Sequence, residues 1–182
     1  MKTNICLIGF MGSGKSTIAK ILSKKLNKKL IEMDEIIIAK TKYNSINEIF
    51  DHKGELFFRE LEIATAKELN KIEKAIISTG GGVVMNKIII DYLKQNSLIF
   101  YLKTNFSTIK TRLTQDFSRP LFNNLKTAKQ LFSLRAPLYE YYSDYQITTD
   151  NKTPSQIADK IIEIYNNFLY IQQVNTDENK KE

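Results

Sequence analysis

The sequence has little of several things that commit a chain to a class. It holds one cysteine, Cys6, and one histidine, His52. A single thiol excludes a disulfide framework, and Cys6 lies within an apolar run, where a buried and inert thiol is expected. His52 stands in the charged turn Asp51-His52-Lys53-Gly54. No serine or metal-type partner stands beside it, so it reads as a surface residue without a catalytic role. No apolar run approaches the length needed to span a bilayer. The first strand-like segment starts at residue 4, which leaves no room for a secretory leader. These absences point to the cytoplasm. There is no zinc-ligand spacing and no basic stripe interleaved with aromatics. The guanine-recognition pattern Asn-Lys-x-Asp is also missing, since Asn151-Lys152-Thr153-Pro154 stops short of it.

What is present describes an ordinary globular chain. Its 182 residues, 42% of them hydrophobic, suffice for one domain with a real core. The net charge is +7. The densest basic group, Lys24-Lys25 with Lys28-Lys29, flanks the end of the first helical segment, where cations oppose the negative end of the helix dipole. A solvated cap explains it better than a nucleic-acid site.

The chain is organised around Gly9-Phe10-Met11-Gly12-Ser13-Gly14-Lys15-Ser16-Thr17. An apolar run, Ile5-Cys6-Leu7-Ile8, precedes it, and a helical pattern through Ile18, Ile21, Leu22 and Leu26 follows. Strand, glycine-rich loop and helix make the context of a P-loop. Gly12 and Gly14 let several backbone N–H groups converge on one point, and the helix beginning near Lys15 adds its positive end there. Lys15 can reach the outer phosphates of a nucleoside triphosphate, and the Ser16 hydroxyl can ligate Mg²⁺.

Beyond the loop, short apolar runs alternate with helical patterns. Strands are expected at residues 4–9, 30–33, 75–78, 98–102 and 145–148. Helices are expected at 15–26, 35–41, 45–51, 54–70, 86–95, 106–113, 128–142 and 154–170. Ser45, with Glu48 three residues on, has the form of a capping box. The alternation predicts an α/β fold with a parallel sheet covered on both faces and ligands at the carboxyl ends of its strands. A single domain over 1–170 is expected, with a polar, disordered tail at 171–182.

Several constellations fall on that edge. Glu32 and Asp34 stand two apart after the second strand, a spacing that puts both carboxylates on one face of extended chain. They could support Mg²⁺ and orient an attacking hydroxyl, or simply form an acidic loop. Arg59 and Glu62 are three apart on a helix, which is also the spacing of an ordinary surface ion pair. Gly80-Gly81-Gly82 ends a buried strand abruptly. Three consecutive glycines are costly to order and serve where backbone must approach a ligand, although a tight turn could also use them. The aperiodic stretch 114–124 carries Arg119-Pro120 and suggests a lid whose arginine arrives on closure.

Taken together, the stretch 9–17, Asp34, Phe58-Arg59-x-x-Glu62, Gly80-Gly81-Gly82, Arg119-Pro120-Leu121 and Arg135-Ala136-Pro137-Leu138-Tyr139 have the order and spacing of the shikimate kinase family. The chain resembles that family over about residues 3–165. The resemblance implies a three-layer αβα P-loop fold with a five-stranded parallel sheet in the order 2-3-1-4-5, a substrate-binding region at about 34–62 and a lid at about 114–124. It implies ATP-dependent phosphorylation of the 3-hydroxyl of shikimate, a step in making chorismate and the aromatic amino acids. The enzyme would be a monomer with Mg²⁺ as cofactor, binding neither nucleic acid nor membrane.

By position, Lys15, Asp34 and Arg119 would be catalytic. Gly12, Ser13, Gly14, Lys15, Ser16, Thr17, Arg112, Arg119 and Lys152 would bind ATP, with Arg112 packed on the adenine. Asp34, Arg59, Gly80, Gly81, Gly82 and Arg135 would bind shikimate, the two arginines holding its carboxylate. Ser16 and Glu32 would support the metal. Two positions depart from the family pattern: Glu32 stands where aspartate is usual, and Lys152 where arginine is often found. The alternatives are another small hydroxy-acid kinase of the same fold, such as a gluconate kinase, and a nucleotide-dependent switch or nucleic-acid-binding protein.

Overall fold

The computed structural model describes residues 2–114 and 125–178. Its strands are β1 (Asn4–Ile8), β2 (Lys29–Glu32), β3 (Ala75–Ser78), β4 (Ser97–Lys103) and β5 (Tyr145–Thr148). Its helices are α1 (Lys15–Leu26), α2 (Met33–Ala39), α3 (Ile46–Leu69), α4 (Lys87–Lys94), α5 (Phe106–Thr114), α6 (Leu125–Tyr142) and α7 (Pro154–Glu178). The strands form one sheet in the order β2-β3-β1-β4-β5, with each neighbouring pair parallel. This is the expected order.

Side-chain alternation along the strands divides the core into two layers. Cys6 and Ile8 of β1 point to one side with Ile99 and Tyr101 of β4, where α3, α4 and α6 contribute Phe58, Ile90 and Tyr139. Ile5 and Leu7 point to the other, with Leu98, Phe100 and Leu102, where α1 and α7 contribute Leu22, Ile161 and Tyr165. Both faces of β1 are sealed, so the strand reads as a continuous apolar run with no polar alternation. Cys6 is fully buried, and its burial pushes the thiol pKa far up, so the expected inertness holds.

Three local differences from the sequence-based expectation have physical causes. Asp34 does not continue a strand. β2 stops at Glu32, which is the residue before α2, and Asp34 lies in the first turn of that helix. The two carboxylates still reach one cavity, but through the strand-to-helix turn and not along one strand face. The helices expected at 45–51 and 54–70 join into α3, which breaks at Gly54 (φ 79°, ψ 174°). That left-handed backbone angle suits glycine. The Ser45 hydroxyl caps α3 by accepting from the Glu48 N–H at 3.1 Å, and the Glu48 carboxylate reaches back to the Asn44 N–H at 3.0 Å. The capping box is present, displaced by one residue at its return bond.

The third difference is at the C-terminus. α7 continues past Tyr170 to Glu178, so the expected disordered tail is helical over 171–178. Gln172 anchors it. Its amide oxygen accepts from the Lys2 N–H at 3.1 Å, and its amide nitrogen donates to the Lys2 carbonyl at 3.2 Å. A polar composition predicted disorder, but one side chain pairs with the backbone at the start of β1 and holds the last turns against the fold.

Candidate active site

The carboxyl ends of β1, β2 and β3 open onto a cavity of about 300 Å³ that holds Lys15, Ser16, Glu32, Asp34, Gly80 and Gly81. Its floor is the loop between β1 and α1. Gly12 (φ 75°) and Gly14 (φ 97°) take left-handed conformations there. A Cβ on Gly12 would also stand 2.9 Å from the Leu113 side chain, so only glycine lets α5 close over the loop. Gly14 caps α1 without a side chain, which leaves the helix N-terminus facing the cavity. Lys15 is nearly buried and donates to the carbonyls of Gly9 and Phe10 at 2.7 and 3.1 Å. Its ammonium is thus held over the loop.

Across the cavity the three consecutive glycines each answer a different neighbour. A Cβ on Gly80 would stand 2.8 Å from the Asp34 Oδ1. One on Gly81 would lie in ordinary contact with the Met11 nitrogen at 3.4 Å and the Gly9 carbonyl at 3.6 Å. One on Gly82 would collide with the Arg59 guanidinium at 2.5 Å. The segment therefore faces the P-loop at Gly81 and stands against the Arg59 guanidinium at Gly82. A plain tight turn would impose none of these conditions.

Arg59 is clamped on its own helix. Glu62 accepts from its Nη1, and Glu55 accepts from its Nη2 at 2.8 Å. The guanidinium carbon stands 5.3 Å from the Phe58 ring centroid. Burial would lower the Arg59 pKa, but the hydrogen bonds and charges of Glu62 and Glu55 more than offset it, and the net shift is upward. Glu62 is almost wholly buried, and desolvation raises its carboxyl pKa above the usual 4.5 even against Arg59. The nearby Asp34 charge adds to that rise, while Arg135 opposes it. An ordinary surface pair would show none of this. Glu62 is the structural residue that sequence reasoning undervalued. Its signals there are a position three residues after an arginine and the motif Phe58-Arg59-x-x-Glu62, and neither discloses its burial.

Arg135 comes from α6 and is 8% exposed. Its Nη1 donates to the Gly81 carbonyl at 3.2 Å, while its buried Nε has no hydrogen-bond partner. Desolvation, and after it the Arg59 charge, lower its pKa. Two guanidinium groups beside the triple-glycine segment, one at Gly81 and one at Gly82, the former with an unused buried donor, form an arrangement suited to a carboxylate.

At the other end, Arg112 of α5 donates to the Gly12 carbonyl at 3.2 Å. Beyond it lies a second cavity of about 310 Å³, lined by Ser13, Gly14, Thr17, Arg112, Lys152 and Pro154. Arg112 and Lys152 thus share a cleft beside the P-loop, of a size to take a flat base. The Ser16 hydroxyl donates to the Glu32 Oε2 at 3.2 Å, and the Glu32 Oε1 is buried without a hydrogen-bond partner. Such oxygens suit a hard cation. The described residues contain no cluster of three or more His, Cys, Asp or Glu. Arg119 and the rest of 115–124 lie outside the described residues. His52 stacks on Tyr43 with ring centroids 5.3 Å apart, away from the cavity's lining.

The fold and the glycine-rich loop define an α/β protein of the P-loop class. The family is then shown by comparison. The family model described as shikimate kinase matches residues 11–166, and the chain belongs to that family. It is 41% identical over 165 residues to the shikimate kinase of Caldicellulosiruptor bescii, covering 89% of this chain and 95% of the relative. It is also 41% identical over 160 residues to that of a Sulfurihydrogenibium species, covering 87% and 95%. Among solved structures, the Acinetobacter baumannii shikimate kinase in complex with shikimate superposes with a TM-score of 0.84 at 30% identity, covering 91% of this chain and 93% of that one. The Aquifex aeolicus enzyme gives 0.77 at 34% identity, covering 88% and 94%.

Proposed function

We propose that the protein transfers the terminal phosphoryl group of ATP to the 3-hydroxyl of shikimate. The observation that carries this reading is the placement of the triple-glycine segment, which lines the P-loop cavity at Gly80 and Gly81 and stands against the Arg59 guanidinium at Gly82. In this reading the phosphate and acid ends lie on either side of that segment, close enough for direct transfer.

In this reading the loop N–H groups and the α1 N-terminus receive the phosphates, and Lys15 turns from the loop carbonyls to the outer phosphate oxygens. Arg59 and Arg135 hold the acid group, and Glu62 keeps Arg59 aimed. Asp34 orients the 3-hydroxyl for in-line attack and accepts its proton as the bond to phosphorus forms. Arg112 packs on the adenine with Lys152 at the cleft rim. Arg119 supplies a further charge from the lid. Ser16 and Glu32 would hold Mg²⁺, which neutralises phosphate charge when bound. The remaining catalytic work is positioning within the cavity. Both ends of the site come from one chain, which supports a monomeric enzyme. No described helix is long and apolar enough to cross a membrane. A cytoplasmic location belongs to the same proposal, supported by the single, buried cysteine.

The test is ATP turnover against a panel of hydroxy acids. Turnover with shikimate, and little with gluconate, is expected. Turnover with gluconate but none with shikimate would overturn the reading.

A further inference from the structure

Tyr139 lies one helical turn after Arg135 on α6 and is completely buried. Its ring stacks on Tyr101 of β4, with centroids 5.1 Å apart and planes at 22°. Phenylalanine would fill that space equally well. What phenylalanine would lack is the hydroxyl, and that hydroxyl serves no core partner. It donates to the Gly81 carbonyl, the same oxygen that accepts from Arg135 Nη1. A carbonyl has two lone pairs, so both are used by α6. Gly81 in turn lines the P-loop cavity, and Gly82 stands against the Arg59 guanidinium.

We propose that Tyr139 is a positioning residue for the substrate's acid group: its hydroxyl fixes the Gly81 carbonyl, which sets the distance between the Arg135 and Arg59 guanidiniums. This rests on the reading of Arg135 as a carboxylate ligand. The argument is one of constraint. Arg135 is a long side chain whose buried Nε is unpaired, so the protein alone does not saturate it. With a single donor on Gly81, the peptide could rotate and draw the guanidinium with it. With two donors from one helix face, the carbonyl has one orientation. Because Gly82 has no room for displacement toward Arg59, that orientation also fixes the second arginine's wall. Burial holds the phenol far above its usual pKa, so the group remains a donor throughout the working range.

The test compares Tyr139→Phe, Arg135→Ala and Tyr101→Phe with the native enzyme. Shikimate affinity is read by calorimetry, and KM is measured for each substrate. Tyr139→Phe is expected to weaken shikimate about tenfold, as loss of one buried hydrogen bond does, with the KM for ATP unchanged. Tyr101→Phe, which touches the same ring without reaching Gly81, should leave shikimate affinity intact. If Arg135→Ala weakens shikimate while Tyr139→Phe does not, the inference fails and the carboxylate reading stands. If Arg135→Ala has no effect on shikimate, both fail. An equal rise of both KM values in Tyr139→Phe would mark general loosening and also overturn the inference. Should Tyr139→Phe not fold, 3-fluorotyrosine at this position keeps the ring and alters the donor strength. An unchanged shikimate affinity there would overturn it as well.

Discussion

In the proposed site the phosphate end is made of backbone, and the acid end is made of side chains. At the first, converging N–H groups and the start of α1 do the work, and the conditions on residue type are permissive glycines with a lysine and a serine at the helix start. At the second, Arg59 needs Glu62 and Glu55, Arg135 needs Gly81, and Gly82 must stay bare to leave Arg59 room. The difference matters for robustness. A backbone cradle is set by a few dihedral angles in one contiguous loop. A cage of charged side chains depends on buried partners drawn from α3, α6 and the segment after β3, and desolvated charges are costly when any partner is lost.

The largest effect should come where the cradle meets its one indispensable side chain. Lys15→Met is expected to lower turnover by at least about a hundredfold with the fold retained, measured by steady-state kinetics and circular dichroism. At the acid end, Arg59→Ala should chiefly weaken shikimate, by about 2–5 kcal/mol in binding, leaving the KM for ATP nearly unchanged. Gly82→Ala should reproduce part of that loss with Arg59 still present, because the new Cβ displaces the guanidinium. An alanine there with normal shikimate affinity would show that the two ends are less differently built than they look. Arg112→Ala should do the reverse, raising the KM for ATP by about three- to tenfold without touching shikimate.

The smallest effect is on stability against pH. Desolvation holds the Glu62 pKa above 4.5, so the folded state binds an extra proton between that value and the raised one. The stabilisation is full at low pH and is lost as pH rises through the raised pKa. Glu62→Gln cannot release a proton, so its melting temperature relative to the native enzyme should improve as pH rises from about 4 to about 7. A difference that stays constant with pH would mean that Arg59 fully compensates the buried carboxylate.

The same contrast explains what the sequence discloses. The loop at 9–17 is contiguous, so its chemistry is legible from residue order alone. The strands follow from short apolar runs, and their order in the sheet follows from the family resemblance alone. The acid end is harder to read. Arg59 with Glu62 looks like any surface ion pair until α3 packs and buries the carboxylate. Tyr139 looks like core, and its ring is core; only the direction of its hydroxyl gives it a site. The turn at Glu32–Met33 moved Asp34 from strand to helix because β2 is four residues long and ends before it. The helical end of α7 escaped detection because Gln172 acts on backbone far away in sequence.

The bare wall at Gly80–Gly82 sets a direction for engineering. A pocket is usually enlarged by trimming a side chain, and here there is none to trim. Substitution along this wall can only make the site smaller, and a Cβ at Gly80 or Gly82 would strike Asp34 or Arg59 in doing so. Accepting a bulkier hydroxy acid would require remodelling on the side facing α2 and α3, where whole residues can be exchanged.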